Sequence, residues 1–340
     1  MSITVDPNAA PTAPPVRGRG RVLPAPVTPA EIVLVVVLVV LWAALAFATP
    51  AFLSAGSIIP LLVEVAPVAL IGIGMTFVII AGGIDVSVGG AIMVCSVVTA
   101  KLMRDQGLPL ILCVVVAIAT GAVLGLMNGL LIAYGRVHAI IITFGTANVF
   151  LFIGLQIFGS QPVSGMPNTL AWFGRGVDGQ TLGVPHSFAI TVLLAAVAWW
   201  YLRHTAGGRH FLGIGGDALA ARLAGIRVQR RVLLTYVITG VLIGLASIFT
   251  LAKGTSSLDQ SVGNGQELAV IAAVVIGGTS IMGGRGSVLG TLLGALLVQT
   301  VKSGVTQLGW PSQLSDLFVG IFIVLAVGTD LLRQRTRRAE

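Results

Sequence analysis

Between Glu31 and Thr49 the chain reads EIVLVVVLVVLWAALAFAT, one apolar run. Its length matches a hydrocarbon core about 30 Å thick. Similar runs recur at approximately 58–80, 88–104, 109–133, 138–159, 187–203, 232–252, 266–281, 287–303 and 315–332. A segment alone in lipid must satisfy its own backbone hydrogen bonds, which leaves helices or closed barrels. Barrel strands alternate in polarity, whereas these runs are continuously apolar. The expected fold class is therefore an all-α integral membrane protein with about ten transmembrane helices.

Composition supports this. Only 9% of the 340 residues are charged, against about a quarter in a soluble domain. The net charge of +8 is not a nucleic-acid signal. It gathers in Arg17, Arg19 and Arg21, then from Arg203 to Arg231, then from Arg333 to Arg338. Each group ends an apolar run, as the bias of cytoplasmic loops toward Lys and Arg requires, so membrane lipid is the expected contact. Six expected crossings separate the first group from the second and four separate the second from the third. Both termini are therefore expected in the cytoplasm. Lys101, Arg104, Lys253 and Lys302 run against this bias near the outer face, with Asp105 and Asp259 there to offset them.

Residues 1–30, rich in Pro, Ala and Arg, read as a disordered cytoplasmic tail. The transmembrane domain is expected over 31–332, with a basic cytoplasmic tail at 333–340. The small residues from Ala44 to Ala48 resemble a peptidase site, but the span-length run favours an uncleaved first helix. An outward loop over 160–185 carries Leu170-Ala171-Trp172-Phe173, read as an anchor at the membrane interface, with a docking surface as the alternative. Cys95 and Cys113 fall inside spans and read as small buried apolar groups.

Over 204–231 hydropathy collapses into an expected cytoplasmic loop. Gly216-Asp217 precedes Ala218-Leu219-Ala220-Ala221-Arg222-Leu223-Ala224, and Gly225-Ile226 follows. Asp accepts the orphan amides of a first helical turn, Ala and Leu favour helix, and Gly commonly stands just past a helix end. The spacing predicts a helix of about two turns, far too short to cross a bilayer. Such a helix needs a surface to hold it. Lipid headgroups and a groove on a cytoplasmic protein are both compatible with these residues.

Three motifs share one resemblance. Gly216-Asp217 with Ala220-Ala221 and Ala224-Gly225-Ile226 is similar to the cytoplasmic loop of ribose-type permeases, the membrane subunits of bacterial ATP-binding-cassette sugar importers. Ala81-Gly82-Gly83-Ile84-Asp85-Val86-Ser87-Val88-Gly89 resembles the family's GGIDLSVG segment, and Gly277 to Gly290 resembles its GGTSxxGGRGSVxG segment. Its TLGT run reads Thr143-Phe144-Gly145-Thr146 here, and the Arg-Gly that follows in the family is missing.

The resemblance implies a short loop helix that couples the permease to a separate cytoplasmic ATPase carrying ATP and Mg. It also implies an extracytoplasmic sugar-binding protein and a second permease copy or a sister permease. The coupling residues would be Gly216, Asp217, Ala220, Ala221, Arg222, Gly225 and Ile226. Location would be the bacterial cytoplasmic membrane.

Acids in apolar runs should face protein or water rather than lipid. Glu64 reads either as a partner for a neighbouring helix or as a pathway residue. Asp85, among glycines, reads as a cap for the next helix through the Ser87 and Val88 amides, within an inner gate. Thr143, Asn148, Gly283, Gly284 and Arg285 complete the pathway or gate candidates, while Asn128 and Gln299 read as links between helices.

The Gly283–Ser287 stretch lacks the Lys-Ser/Thr ending of a phosphate-binding loop, and GxxxxGK[ST] occurs nowhere in the chain. No metal motif or nucleophile elbow is present either, so no cofactor and no catalysis are expected of this chain itself. An ion-coupled transporter using Glu64 and Asp85 is the competing reading. It leaves the capped loop helix without a purpose.

Overall fold

The computed structural model describes residues 28–159, 161–174, 176–253 and 257–339. Most of the expected N-terminal tail, with Arg17, Arg19 and Arg21, lies outside the described residues. The helices in chain order are α1 (Pro29–Ala48), α2 (Ala55–Ile80), α3 (Val88–Gln106), α4 (Leu110–Gly135), α5 (Ala139–Phe158), α6 (His186–His204), α7 (Ala206–Gly216), α8 (Ala218–Leu223), α9 (Val228–Leu251), α10 (Gln266–Ile276), α11 (Val288–Gln307) and α12 (Gln313–Ala339). Four two-residue strands form two small antiparallel pairs; β1 (Val163–Ser164) joins β4 (Ser257–Leu258), while β2 (Gln180–Thr181) joins β3 (Val184–Pro185).

Among the described residues seven helices, α1, α2, α4, α5, α6, α9 and α11, are long and apolar enough to cross a membrane. The run expected over 266–281 as a span is corrected. Its helix, α10, has 11 residues, about 16 Å at 1.5 Å each, or half a bilayer. It stops because Gly278 N–H donates to the Val275 carbonyl and Thr279 N–H to the Val274 carbonyl, closing the last turn. The last helix does not end at 332 either, since α12 continues to Ala339.

α2 is the central helix, buried along nearly its whole length from Val63 to Ile80. α4 and α9 cross closely along a seam of glycines. A Cβ on Gly121 would lie 2.1 Å from the Gly240 carbonyl oxygen, and one on Gly125 2.2 Å from that of Tyr236. Small residues allow such backbone approach, and in lipid close packing takes over from hydrophobic burial in holding helices together. α1 packs on α11 through Leu34, Leu38 and Leu297, and the Trp42 indole N–H donates to Thr300 Oγ1 at 3.1 Å. The Thr28–Glu31 capping box starts α1, and Ser287 Oγ donates to Glu31, which ties the starts of α1 and α11 together.

Two parts of the chain are built alike and run in opposite directions. Ile84-Asp85-Val86-Ser87-Val88-Gly89 matches Leu258-Asp259-Gln260-Ser261-Val262-Gly263. The same spacing carries the start of α5 at Ala139 onto the start of α12 at Gln313, and lays α2 over α9. The local geometry repeats as well. Asp85 Oδ1 accepts the Ser87 amide at 2.9 Å and hydroxyl at 2.6 Å; Asp259 Oδ1 accepts the Ser261 amide at 2.7 Å and hydroxyl at 2.5 Å.

α3 starts beside the middle of α5, where Gly90 faces the Ala147 carbonyl, and runs with it so that Met93 faces Gly154. α10 runs the other way, and Gly277 lies against Gly290 at the end where α11 begins. Inverted repeats with broken helices recur in transporters and leave weak internal symmetry of this kind.

Several local expectations change. Leu170 and Phe173 are buried, with Phe173 against Phe249 at 5.4 Å between ring centroids, so half of that patch packs into the protein, while Trp172 is 47% exposed. The 204–231 loop is not wet throughout, because α7 buries Phe211 edge-on against Phe77. Lys253 is offset by Glu64, 2.5 Å away, and not by Asp259. Arg104 pairs with Asp105 at 2.6 Å, as expected. Cys95 and Cys113 are buried and free.

Candidate functional site

α8 has both stops that its residues predict. Asp217 Oδ1 accepts the Leu219 amide at 2.8 Å and the Ala220 amide at 3.0 Å. At the other end Gly225 takes φ +82, its N–H donates to the Arg222 carbonyl, and Ile226 N–H donates to the Ala221 carbonyl. This pair of bonds is a Schellman stop. Ala221 is buried, while Leu219 and Leu223, one turn apart, are 66% and 82% exposed. The helix therefore shows an apolar ridge, Leu219 and Leu223, away from its own protein.

The base of α8 is fixed by backbone contacts among three distant segments. Gly284 N–H donates to the Ile80 carbonyl at 2.9 Å. A Cβ on Gly215 would lie 1.8 Å from that same oxygen and 2.4 Å from Gly284 N, and one on Gly283 would lie 3.2 Å from Gly82 Cα. The end of α2, the end of α7 and the Gly283–Gly284 turn thus meet at one point beneath Gly216 and Asp217. Arg285 is exposed, and its carbonyl accepts the Ser280 amide.

Asp85 is buried, and it binds the Ser87 amide and hydroxyl, as noted above, in the turn before α3. Among the described residues the Val88 amide, the other expected partner, makes no hydrogen bond to Asp85. Asn128 Nδ2 donates to Ser87 Oγ at 2.7 Å, and Thr143 Oγ1 donates to the Ala139 and Ile84 carbonyls at 3.0 and 3.2 Å. Asp85, Ser87 and Thr143 therefore gather around the extended stretch between α2 and α3. Beside it opens a cleft of about 520 Å³ lined by Gly82, Gly83, Arg136, His138, Arg222 and Tyr236, among others. The buried Tyr236 hydroxyl and Asn128 Oδ1 have no hydrogen-bond partner among the described residues.

Two candidates lie apart from this cluster. Glu64 pairs with Lys253, and Asn148 is exposed on α5, its Nδ2 donating to the Phe144 carbonyl at 2.9 Å. Reading the sequence alone passed over the Asp259–Ser261 turn, Glu267 and Tyr236. The repeated Asp-x-Ser-Val-Gly pattern was the signal that could have found the first two; Tyr236 left none, since only the fold shows its hydroxyl unpaired.

Apolar spanning helices arranged as inverted repeats, with one short helix, α10, among them, are the architecture of the membrane subunit of a transporter, a permease. The chain belongs to the branched-chain amino acid transport system/permease component family, whose pattern matches residues 57–327. It is 34% identical over 300 residues to the ribose import permease protein of Escherichia coli strain K12, covering 88% of this chain and 93% of that one. It is 39% identical over 284 residues to the ribose import permease protein of Bacillus subtilis strain 168, covering 83% and 86% respectively. A probable ABC transporter permease protein of Escherichia coli strain K12 is 36% identical over 312 residues, covering 91% and 92%. No solved structure matches the chain. It is a translocation-pathway subunit of an ATP-binding-cassette importer and is not catalytic by itself; ATP hydrolysis belongs to a separate subunit.

Proposed function

We propose that this permease imports a monosaccharide or a related small polyol, driven by a cytoplasmic ATPase that grips α8. The observation that carries the coupling role is α8 itself, capped at both ends, seated on Ile80 and Gly284, and presenting Leu219 and Leu223 outward. A helix that lays an apolar ridge into a groove is a common mode of recognition. Gly216, Asp217, Ala220, Ala221, Arg222, Gly225 and Ile226 form and terminate this handle. The sugar class is supported by the ribose import permeases that the chain resembles over most of its length.

In this reading the chain makes ten membrane segments with both termini cytoplasmic. Seven are the long apolar helices, and the others are α3, α10 and α12. The non-helical stretches at 81–87 and 257–265 complete the crossings of α3 and α10. Two copies, or this chain and a sister permease, frame one pathway in a bacterial cytoplasmic membrane. A binding protein delivers sugar outside, and ATP with Mg acts on the partner ATPase. Differential binding of the ATPase to two states of the pore shifts its population between facing directions. The turns at Asp85–Ser87 and Gly283–Arg285, with Thr143 beside the first, form the inner gate.

Reconstitution with the ATPase and binding protein tests this. The double substitution Ala221→Pro and Gly225→Pro removes the amides that bond Asp217 and Arg222. It should abolish both ATPase association and ribose uptake while the chain still inserts. Ribose uptake that continues without any ATPase would sink the reading and favour ion coupling.

A further inference from the structure

We infer that the solute passes the half-depth junction where α3 and α10 begin, and that Asn264, Gln266 and Glu267 on one side and Asn148 on the other are the polar side chains it meets. The inference rests on the permease reading above and adds the place and chemistry of solute contact.

Two independent measures set the depth of the junction. Gly90 lies against the Ala147 carbonyl and Leu151 N, at the middle of the 20-residue helix α5. α10 ends against Gly290, at the start of α11, so its 11 residues place its own start about 16 Å above that end. The two measures meet at one point, because Gly89 and Gly263 touch. A Cβ on Gly263 would lie 2.2 Å from the Gly89 carbonyl oxygen, and one on Gly89 would lie 2.7 Å from that of Gly263.

At this depth polar side chains reach the surface among apolar ones such as Val149 and Leu268. Asn264 and Gly265 are exposed and Gln266 and Glu267 are half-buried, while Asn148 is exposed one residue beyond the Ala147 contact. An amide or carboxylate at the bilayer centre faces protein or water, not hydrocarbon. The repeat gives a control within the molecule. At Gly90 the α5 backbone closes down on α3, so that a Cβ would lie 2.6 Å from the Ala147 carbonyl oxygen. The matching position in the second repeat is Asn264, where a full amide side chain stands exposed. Symmetry is broken here by opening space and placing a polar group in it. Amides offer both donors and acceptors, and Glu267 adds a carboxylate, which is the donor and acceptor set that a neutral polyhydroxylated solute requires.

The experiment uses the assembled transporter in proteoliposomes, in nucleotide-free and ATP-bound states. Single substitutions Asn264→Cys, Asn148→Cys and, as a lipid-facing control on α6, Leu193→Cys are probed with a charged, membrane-impermeant methanethiosulfonate. The native Cys95 and Cys113 are buried and serve as background. Asn264→Cys and Asn148→Cys should react in at least one state, Leu193→Cys in none, and ribose should slow the first two. Glu267→Gln and Asn264→Ala should each raise the KM for ribose uptake by about fivefold, the loss of one hydrogen bond, with ATPase association unchanged. Junction thiols that stay as unreactive as Leu193→Cys in every state overturn the inference. So does unchanged KM in both polar variants. The thiol arm reads water at the junction whatever the solute, so failure of the ribose assay with reactive thiols falls on the sugar assignment alone.

Discussion

Gly89 and Gly263 occupy equivalent places in two opposed halves of the chain, and they touch each other backbone to backbone. The contact leaves no room for a methyl group on either residue. Gly263 also holds φ +90, which side chains rarely adopt. Gly263→Ala should therefore lower stability by about 3 kcal/mol and Gly89→Ala by about 2 kcal/mol, from overpacking against backbone. Thermal unfolding in detergent measures both, and an unchanged midpoint for either would show that the two halves are not locked at this point.

The α8 cap separates chemistry from charge. Asp217→Ala leaves the Leu219 and Ala220 amides without their acceptor and should cost about 1 kcal/mol of helix stability. Asp217→Asn caps equally well and should keep ATPase association and uptake near the level of the unaltered chain. Co-purification with the ATPase reads the difference. If Asn behaves as Ala does, charge rather than capping holds the partner.

Glu64 and Lys253 join α2 to the end of α9, with 34% and 17% of their side chains exposed. Screening at that exposure limits the pair to about 1 kcal/mol of coupling. A double-mutant cycle with Glu64→Gln and Lys253→Met should return that value. Uptake should survive in the double variant, since the pair is assigned to packing. Abolished transport with intact folding would move Glu64 into the pathway.

Tyr236 buries a hydroxyl that has no hydrogen-bond partner among the described residues. Its oxygen lies where a Cβ on Gly83 would come within 2.5 Å. Tyr236→Phe removes a desolvated group without opening a cavity, so a gain of about 1 kcal/mol is expected. A drop in melting temperature on making this change would mean that the hydroxyl has a partner in the membrane, such as water from the adjoining cleft.

What the sequence showed follows from how local each feature is. α8 was legible because its acceptor, amides and glycine stop lie within ten residues of each other. α10 was overrun, because Ile276-Gly277-Gly278-Thr279-Ser280-Ile281-Met282 stays apolar while its glycines already turn the backbone, and hydropathy does not register φ. α7 was missed because five glycines in AGGRHFLGIGG disfavour helix. Burial of Phe211 outweighs that preference. Gly283 and Gly284 could be read as a tight turn, but not their partners, Ile80 and Gly215, which are far away in the chain. The inverted halves were present as a short repeated phrase and needed only a comparison of the chain with itself.

Where Gly215, Ile80 and Gly284 converge, no rotatable group separates the peptide planes. Closely packed protein resists compression much as a molecular crystal does. A shove delivered at Asp217 therefore meets no cushion, and the floor of α2 has to travel with it. If an ATPase grips α8 as proposed, transmission of its movement is a matter of stiffness over a few ångströms, and one added methyl at Gly215 would wedge apart a joint that has no room for it.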